Sequence, residues 1–297
     1  MSPRALAWAL LGLGFVAGAL FDRRPALNPP RVDGRWVLEG EFHAHTRFSD
    51  GFLSPVDLVT HARRRGLDVL AVTEHNLLFP AELARAWSRA TRGPTVIVGE
   101  EVTSRAYHVL AYGLRETVAP RRDLNKVIDA VHAQGGLVFA AHPVRRFWRE
   151  LLPARARLDG AELMHPIAYE LRRGGGGWRW GDMREYFVGA RAQGRHFTPL
   201  GASDYHFFSP LGLCRTVLHA RERTEAGVME ALREGRVVVF DREGRAYGDE
   251  ALARSLRAAG WRPRPQDDNY RGEGTLDRVT RALGLLGAVG LLLLRRR

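Results

Sequence analysis

The chain predicts an α/β fold, a barrel assembled from βα units, and three observations carry that expectation. Short apolar runs alternate with helix-period segments through its middle. About seven or eight such runs in roughly two hundred residues suit a closed barrel better than an open sheet. Histidine and acidic side chains recur at or near the C-terminal ends of the runs, the rim on which parallel barrels build their sites.

The strand-like runs, in order, are WVLEGEF (36–42), LDVLAVT (67–73), TVIVGEEV (95–102), YHVLAYG (107–113), GLVFAAH (136–142), DGAELM (159–164), HFTPLGAS (196–203) and LCRTVLHA (213–220). Helical patterns fall between many of them, over Pro55 to Arg65, Ala81 to Arg92, Leu124 to Gln134 and Met183 to Gln193. Strands separated by helices predict a largely parallel sheet. The run Gly174 to Gly177 lacks the strand-turn-helix setting of a phosphate loop and reads as a plain loop.

Composition narrows the function. A hydrophobic content of 45% and 297 residues allow a sizeable core, so the middle of the chain is not expected to be disordered. The net charge of +12 is carried by scattered arginines beside a single lysine, Lys126, with none of the basic-aromatic clustering of a nucleic-acid surface. No nucleic acid is therefore expected as a structural partner. One cysteine, Cys214, excludes an internal disulfide framework and a cysteine-rich zinc site. Any metal must be held by histidine and carboxylate.

Both ends are apolar. Ala5 to Phe21 carries no charge, and at ~1.5 Å per residue it spans about 25 Å; it reads as a membrane anchor, or as a secretory signal with Ala17-Gly18-Ala19 as cleavage site. Ala282 to Leu294, followed by three arginines, reads as a second anchor. The terminal arginines favour an extracytoplasmic body, whereas Arg23 and Arg24 argue the reverse. The expected organisation is an anchor or signal over 1–24, a linker over 25–38, a barrel over 39–247, a polar tether over 248–278 and a C-terminal membrane segment over 279–297.

The chemistry lies in the strand ends. His43 and His45 share one strand face at i, i+2, so two imidazoles can meet one ion. The turn Ser49-Asp50-Gly51 can fold a carboxylate back onto them. Later runs deliver His75 after Glu74, Glu101 after Glu100, then His108, His142, and Asp204 with His206. This is too many groups for one ion and suits two or three divalent ions, Zn, Mn or Fe. His61 and His132 lie in helical patterns, and His165, His196 and His219 have no partner at ligand spacing, so these are set aside.

In the motifs HAHTRFSDG, VTEHN, GEEVT, HVLAYG, AHP and ASDYH, met in that order, residues 39 to 246 resemble the PHP (polymerase and histidinol phosphatase) family of metal-dependent phosphoesterases. The resemblance implies a distorted (β/α)7 barrel with up to three divalent ions. It implies ligand roles for His43, His45, Asp50, His75, Glu101, His108, His142, Asp204 and His206. Two positions depart from the family pattern. Glu74 stands where Asp is usual, and His165-Pro166 replaces the Asn that normally follows the strand of DGAELM.

The expected activity is ester hydrolysis, foremost of a small phosphate ester, by a hydroxide bridged between the ions. Asp204 or His206 orients water or protonates the leaving group, and Arg145 and Arg146 are placed to clamp a phosphate. The same ions suit cleavage of a carboxyl or carbamate ester. A reading of another class is a membrane-tethered scaffold that binds metal without turnover; that none of the nine ligand positions is substituted counts against it.

Overall fold

The computed structural model describes residues 1–21, 27–168, 177–194, 196–206, 211–262 and 275–294. They fall into two units, residues 27–268 and the paired ends 1–26 with 269–297.

In the terminal unit, α1 (Pro3–Phe21) packs along a second helix, Thr275–Leu294, with Gly14 and Gly284 at their closest approach. A Cβ built on Gly14 would lie 2.6 Å from the Gly284 Cα, so the backbones touch where both side chains are missing. Trp8, Phe15, Leu285 and Leu286 remain exposed. The expected transmembrane spans are corrected here: among the described residues no helix is long and apolar enough to cross a membrane. The second helix opens with Asp277, Arg278 and Arg281, leaving an apolar stretch of about 20 Å against a ~30 Å hydrocarbon core.

The large unit is a mixed α/β sheet that curls into a nearly closed barrel. Its strands are β1 (Arg31–Val32), β2 (Arg35–Glu41), β3 (Val69–His75), β4 (Thr95–Thr103), β5 (His108–Tyr112), β6 (Leu137–Ala140), β7 (Gly160–Met164), β8 (Thr198–Gly201), β9 (Thr216–Ala220), β10 (Val237–Phe240) and β11 (Ala246–Gly248). They run in the order β11-β10-β9-β2-β3-β4-β5-β6-β7-β8, with β1 paired to β2. The eight predicted runs all form strands. Their directions differ from expectation: β2-β3-β4 and β6-β7-β8 are parallel, but β5 is antiparallel to both neighbours, and β9 and β10 also pair antiparallel. Only Ser104 to Tyr107 separate β4 from β5, too few for the crossover a parallel pair needs.

Helices α2 (Pro55–Arg64), α3 (Phe79–Thr91), α4 (Leu124–Ala133), α5 (Trp148–Ala154), α6 (Trp180–Arg191), α7 (Glu225–Arg233) and α8 (Glu250–Ala258) complete the unit, and α9 is the C-terminal helix of the terminal pair. Ser54, Asp123, Thr224 and Asp249 cap α2, α4, α7 and α8 through side-chain oxygens. The expected tether is thus ordered over α8, which buries Leu252 and Leu256 with Val37, Val238 and Phe240. The linker likewise ends early, at β1. Residues 263–274 of the tether, and Gly174 to Gly176 of the glycine run, lie outside the described residues.

Strand parity separates two cores. Leu70, Val72, Val96, Val98, Val109 and Ala111 pack in one cluster with the helices α2, α3 and α4. Val69, Ala71, Ile97, Leu110 and Tyr112 pack on the other face, with Phe42 and Phe139. Continuing this second parity to the strand ends gives Thr73 and His75 on β3, Glu101 on β4 and His108 on β5. The apolar face therefore becomes the histidine and carboxylate face without a change of side.

Candidate metal centre

His43 and His45 follow β2, where a parallel bridge pairs Ala44 with Tyr205. The Tyr205 N–H donates to the His43 carbonyl and the His45 N–H to the Tyr205 carbonyl, at 3.0 and 2.9 Å. These bonds bring the segment bearing Asp204 and His206 alongside the histidine pair. The turn after His45 closes tightly: Ser49 and Gly51 both donate to the Thr46 carbonyl. A Cβ on Gly51 would lie 2.3 Å from the His45 carbonyl oxygen, so only glycine permits the turn that returns Asp50. Glu74 pins it from β3, accepting the Thr46 N–H at 2.6 Å and the Ser49 hydroxyl.

Glu101 is the hub. In register with His75 on the adjacent parallel strand, it places Oε2 2.7 Å from His75 Nδ1, 3.6 Å from His43 Nε2 and 3.7 Å from His45 Nε2. Its Oε1 meets His108 Nδ1 at 2.8 Å and His142 Nε2 at 3.1 Å. Glu100 faces away and accepts the Val118 N–H. Asp204 Oδ1 lies 3.2 Å from His43 Nε2 and 3.3 Å from His45 Nε2. Asp50 joins His75 Nε2 at 3.3 Å and His206 Nε2 at 3.1 Å. All nine sequence-derived positions thus converge on one rim.

Three overlapping groups have ligand atoms within 4.8 Å of one another: His45, Asp50, His75 and His206; His43, Glu101 and His142; His43, His45 and Asp204. Nitrogen and oxygen ligands near ~2.1 Å from an ion lie within about that separation, so the groups fit divalent metals. Among the described residues, buried His45 Nδ1 and His142 Nδ1 have no hydrogen-bond partner, as expected of a donor set incomplete without an ion.

Protonation follows from the crowding. Burial alone would lower His43, but the Asp204, Glu162 and Glu101 carboxylates hold it well above the ordinary imidazole range. Burial and the charge of His43 push His45 down to about 4. Burial would raise Glu101 and Asp204, yet His43 in first place, with neighbouring histidines, holds both well below the usual carboxylate range.

Two side chains that reach the rim, Glu162 and His165, were not among the sequence-derived positions. Glu162, on the inner face of β7, accepts from His43 Nδ1 at 2.8 Å and from the His142 N–H at 2.5 Å. Its signal was an acid in the otherwise apolar run GAELM, where an unpaired charge would be costly. His165, set aside for want of a partner, is buried with Nε2 3.4 Å from Asp204 Oδ2 and stacks on Trp178. The other four histidines lie elsewhere; His132 pairs with Asp159 and His219 with the Val32 carbonyl. Arg145 is engaged by Asp182 and Glu185, whereas Arg146 stands over Phe147 and Trp178.

Known proteins resemble the chain along this same stretch. A model of the PHP domain matches residues 41–158, and a PHP-associated model matches 188–237. An uncharacterized protein of Methanocaldococcus jannaschii is 23% identical over 117 residues, covering 36% of this chain and 68% of that protein. The error-prone DNA polymerase of Nocardia farcinica is 35% identical over 130 residues, 41% of this chain but a tenth of the polymerase. In structure, a two-domain protein from Bacteroides vulgatus containing a predicted PHP-like metal-dependent phosphoesterase aligns with a TM-score of 0.64 at 23% identity, over 80% of this chain and 74% of its own.

Proposed function

We propose that the chain, which matches the PHP domain model over 41–158 and the PHP-associated model over 188–237, hydrolyses phosphate esters at the His43–His45 rim, using two or three divalent ions. The observation that carries this reading is the presence of three histidine and carboxylate groups linked to one another through His43 and His45. Bound there, divalent ions supply Lewis acidity and a nucleophilic water at neutral pH. His43, His45, Asp50, His75, Glu101, His108, His142, Asp204 and His206 are the groups we assign to holding them.

The chain's own residues do the rest. Asp204, with Oδ1 toward His43 and His45 and Oδ2 toward His165, is assigned to orienting an attacking water. The Ile167 N–H donates to His165 Nδ1, which leaves the proton on Nε2, directed to Asp204 Oδ2. His165 thereby orients the Asp204 carboxylate. His206 donates from Nδ1 to the Asp204 carbonyl at 2.9 Å, which fixes its ring and leaves Nε2 directed toward Asp50.

The test is a substrate panel: p-nitrophenyl phosphate, bis-p-nitrophenyl phosphate and p-nitrophenyl acetate, with Mn, Zn or Fe added to metal-stripped protein. Turnover of a phosphate is expected. Turnover of acetate alone would transfer the site to carboxyl-ester chemistry, and bound metal without any turnover would favour the scaffold.

A further inference from the structure

Beside the metal rim, and touching it through His108, lies a groove of about 780 Å³ lined by Thr103, Ser104, Arg105, His108, Arg146 and Phe147. Its two cations, Arg105 and Arg146, differ from several arginines whose charge a carboxylate meets. Arg145 is neutralised by Asp182 and Glu185, Arg157 by Asp129, Arg215 by Glu39 and Arg221 by Glu230. Arg105 and Arg146 meet no carboxylate among the described residues, and both are exposed.

Arg146 is also held in place. Its guanidinium carbon lies 4.3 Å from the centre of the Phe147 ring and 4.9 Å from that of Trp178. Cation–π contact with two rings holds the guanidinium while its N–H groups keep their capacity to donate. The same two rings pack against the site, Phe147 at 4.8 Å from His108 and Trp178 at 4.8 Å from His142. The position of the arginine is therefore tied to that of two metal-site histidines. Ser104 adds a hydroxyl whose oxygen already accepts the N–H groups of Ala106 and Tyr107, which fixes the loop bearing Arg105.

A phosphoryl group reacting among the histidines has its charge met there. Arg105 and Arg146 line the groove that adjoins it, Arg146 held there by Phe147 and Trp178, so a second negative group on the substrate would meet them. We propose that Arg105 and Arg146 form a second anion subsite, and that the substrate is a compact organic phosphate bearing a second phosphate or a carboxylate a few bonds from the reacting phosphorus. This rests on the phosphoesterase reading above.

The experiment compares matched pairs on the metal-loaded full chain: phenyl phosphate against 4-carboxyphenyl phosphate, glycerol 2-phosphate against 2-phosphoglycerate, and butyl phosphate against butane-1,4-diol bisphosphate. Charge-assisted hydrogen bonds to the second group predict a gain of about ten- to a hundredfold in kcat/KM, carried by KM, for at least one pair. Arg146→Ala and Arg105→Ala should bring that ratio toward one, with Arg146→Lys retaining part of it. No preference in any pair, or a preference that both alanine variants preserve, overturns the subsite. Binding separates its failure from that of the parent reading. If no phosphate ester turns over, 4-phosphonobutyrate should still bind the wild type at least about tenfold tighter than butylphosphonate, and Arg146→Ala should abolish the difference. Equal binding of the two overturns the proposal whatever the activity.

Discussion

Glu162 offers the sharpest test of how the centre is held together. Its carboxylate is fully buried and accepts two donors from different strand ends, His43 Nδ1–H and the His142 N–H. Replacing it by alanine strands both donors in the interior, at about 1–3 kcal/mol each. Against a total stability of roughly 5–15 kcal/mol, that loss endangers the fold itself. Glu162→Gln is therefore the informative variant. It preserves the volume and one carbonyl acceptor but turns an N–H group toward the other donor, so one bond of about 1–3 kcal/mol is lost. The consequence for function runs through His43. With its Nδ1–H released, the ring no longer presents Nε2 in a fixed direction toward Glu101 and Asp204, and loss of such an outer partner typically costs 10–100-fold in metal affinity. Calorimetric titration of Mn or Zn into metal-stripped protein measures that factor, and a thermal melt confirms that the variant is folded. Folded Glu162→Gln protein with wild-type metal affinity would refute the reasoning.

Other expectations follow from the same geometry. His43→Ala combined with His45→Ala removes a member from each of the three ligand groups and should abolish metal binding; elemental analysis at wild-type stoichiometry would refute the site. For the metal-stripped protein, the raised His43 contributes stability that is complete below its unfolded value of about 6.5 and is lost as pH rises through the folded one. The lowered Glu101 contributes above its unfolded value of about 4.5 and is lost as pH falls through the folded one, so the melting temperature should peak between these limits; a steady rise through pH 8 would contradict this. Metal should flatten the alkaline limb by taking the place of the His43 proton. Away from the site, Arg215 donates to Glu39 at 2.7 Å with both side chains buried, and Arg215→Ala should cost about 3–5 kcal/mol in urea unfolding, with metal stoichiometry retained in the folded fraction.

The strands were legible because each is a short apolar run, and all eight predicted runs form. Their directions were not, because a run has no polarity toward its neighbour. The four-residue link after Thr103 did hold that information for β5, whereas α4 sits between β5 and β6 although they pair antiparallel. The strand Val237–Phe240 escaped notice because four apolar residues after a helix carry no period of their own. At the site, the same contrast recurs. Residues at strand ends were found by type and place. His165 was not, because its partner Asp204 lies 39 positions away and reaches it only when β7 and β8 are paired.

The backbone shows what the centre demands of the fold. His142 and Asp204 are non-glycine residues at φ of 26° and 47°, and such conformations cost of order 1–3 kcal/mol each. Both lie just past a strand end, where the chain must turn a side chain inward before the next element begins. Each is held by bonds made elsewhere in the rim: the His142 N–H by Glu162, and the segment after Asp204 by Tyr205 bridging His43 and His45. The strained residues and their restraints therefore form one circuit, running from β2 through β7 to β8 and back. A circuit of that kind explains why Glu162 should matter to metal affinity although it is not among the assigned ligands. Releasing it frees His43 in the same step that it lets His142 relax toward an ordinary φ, and two ligands move at once.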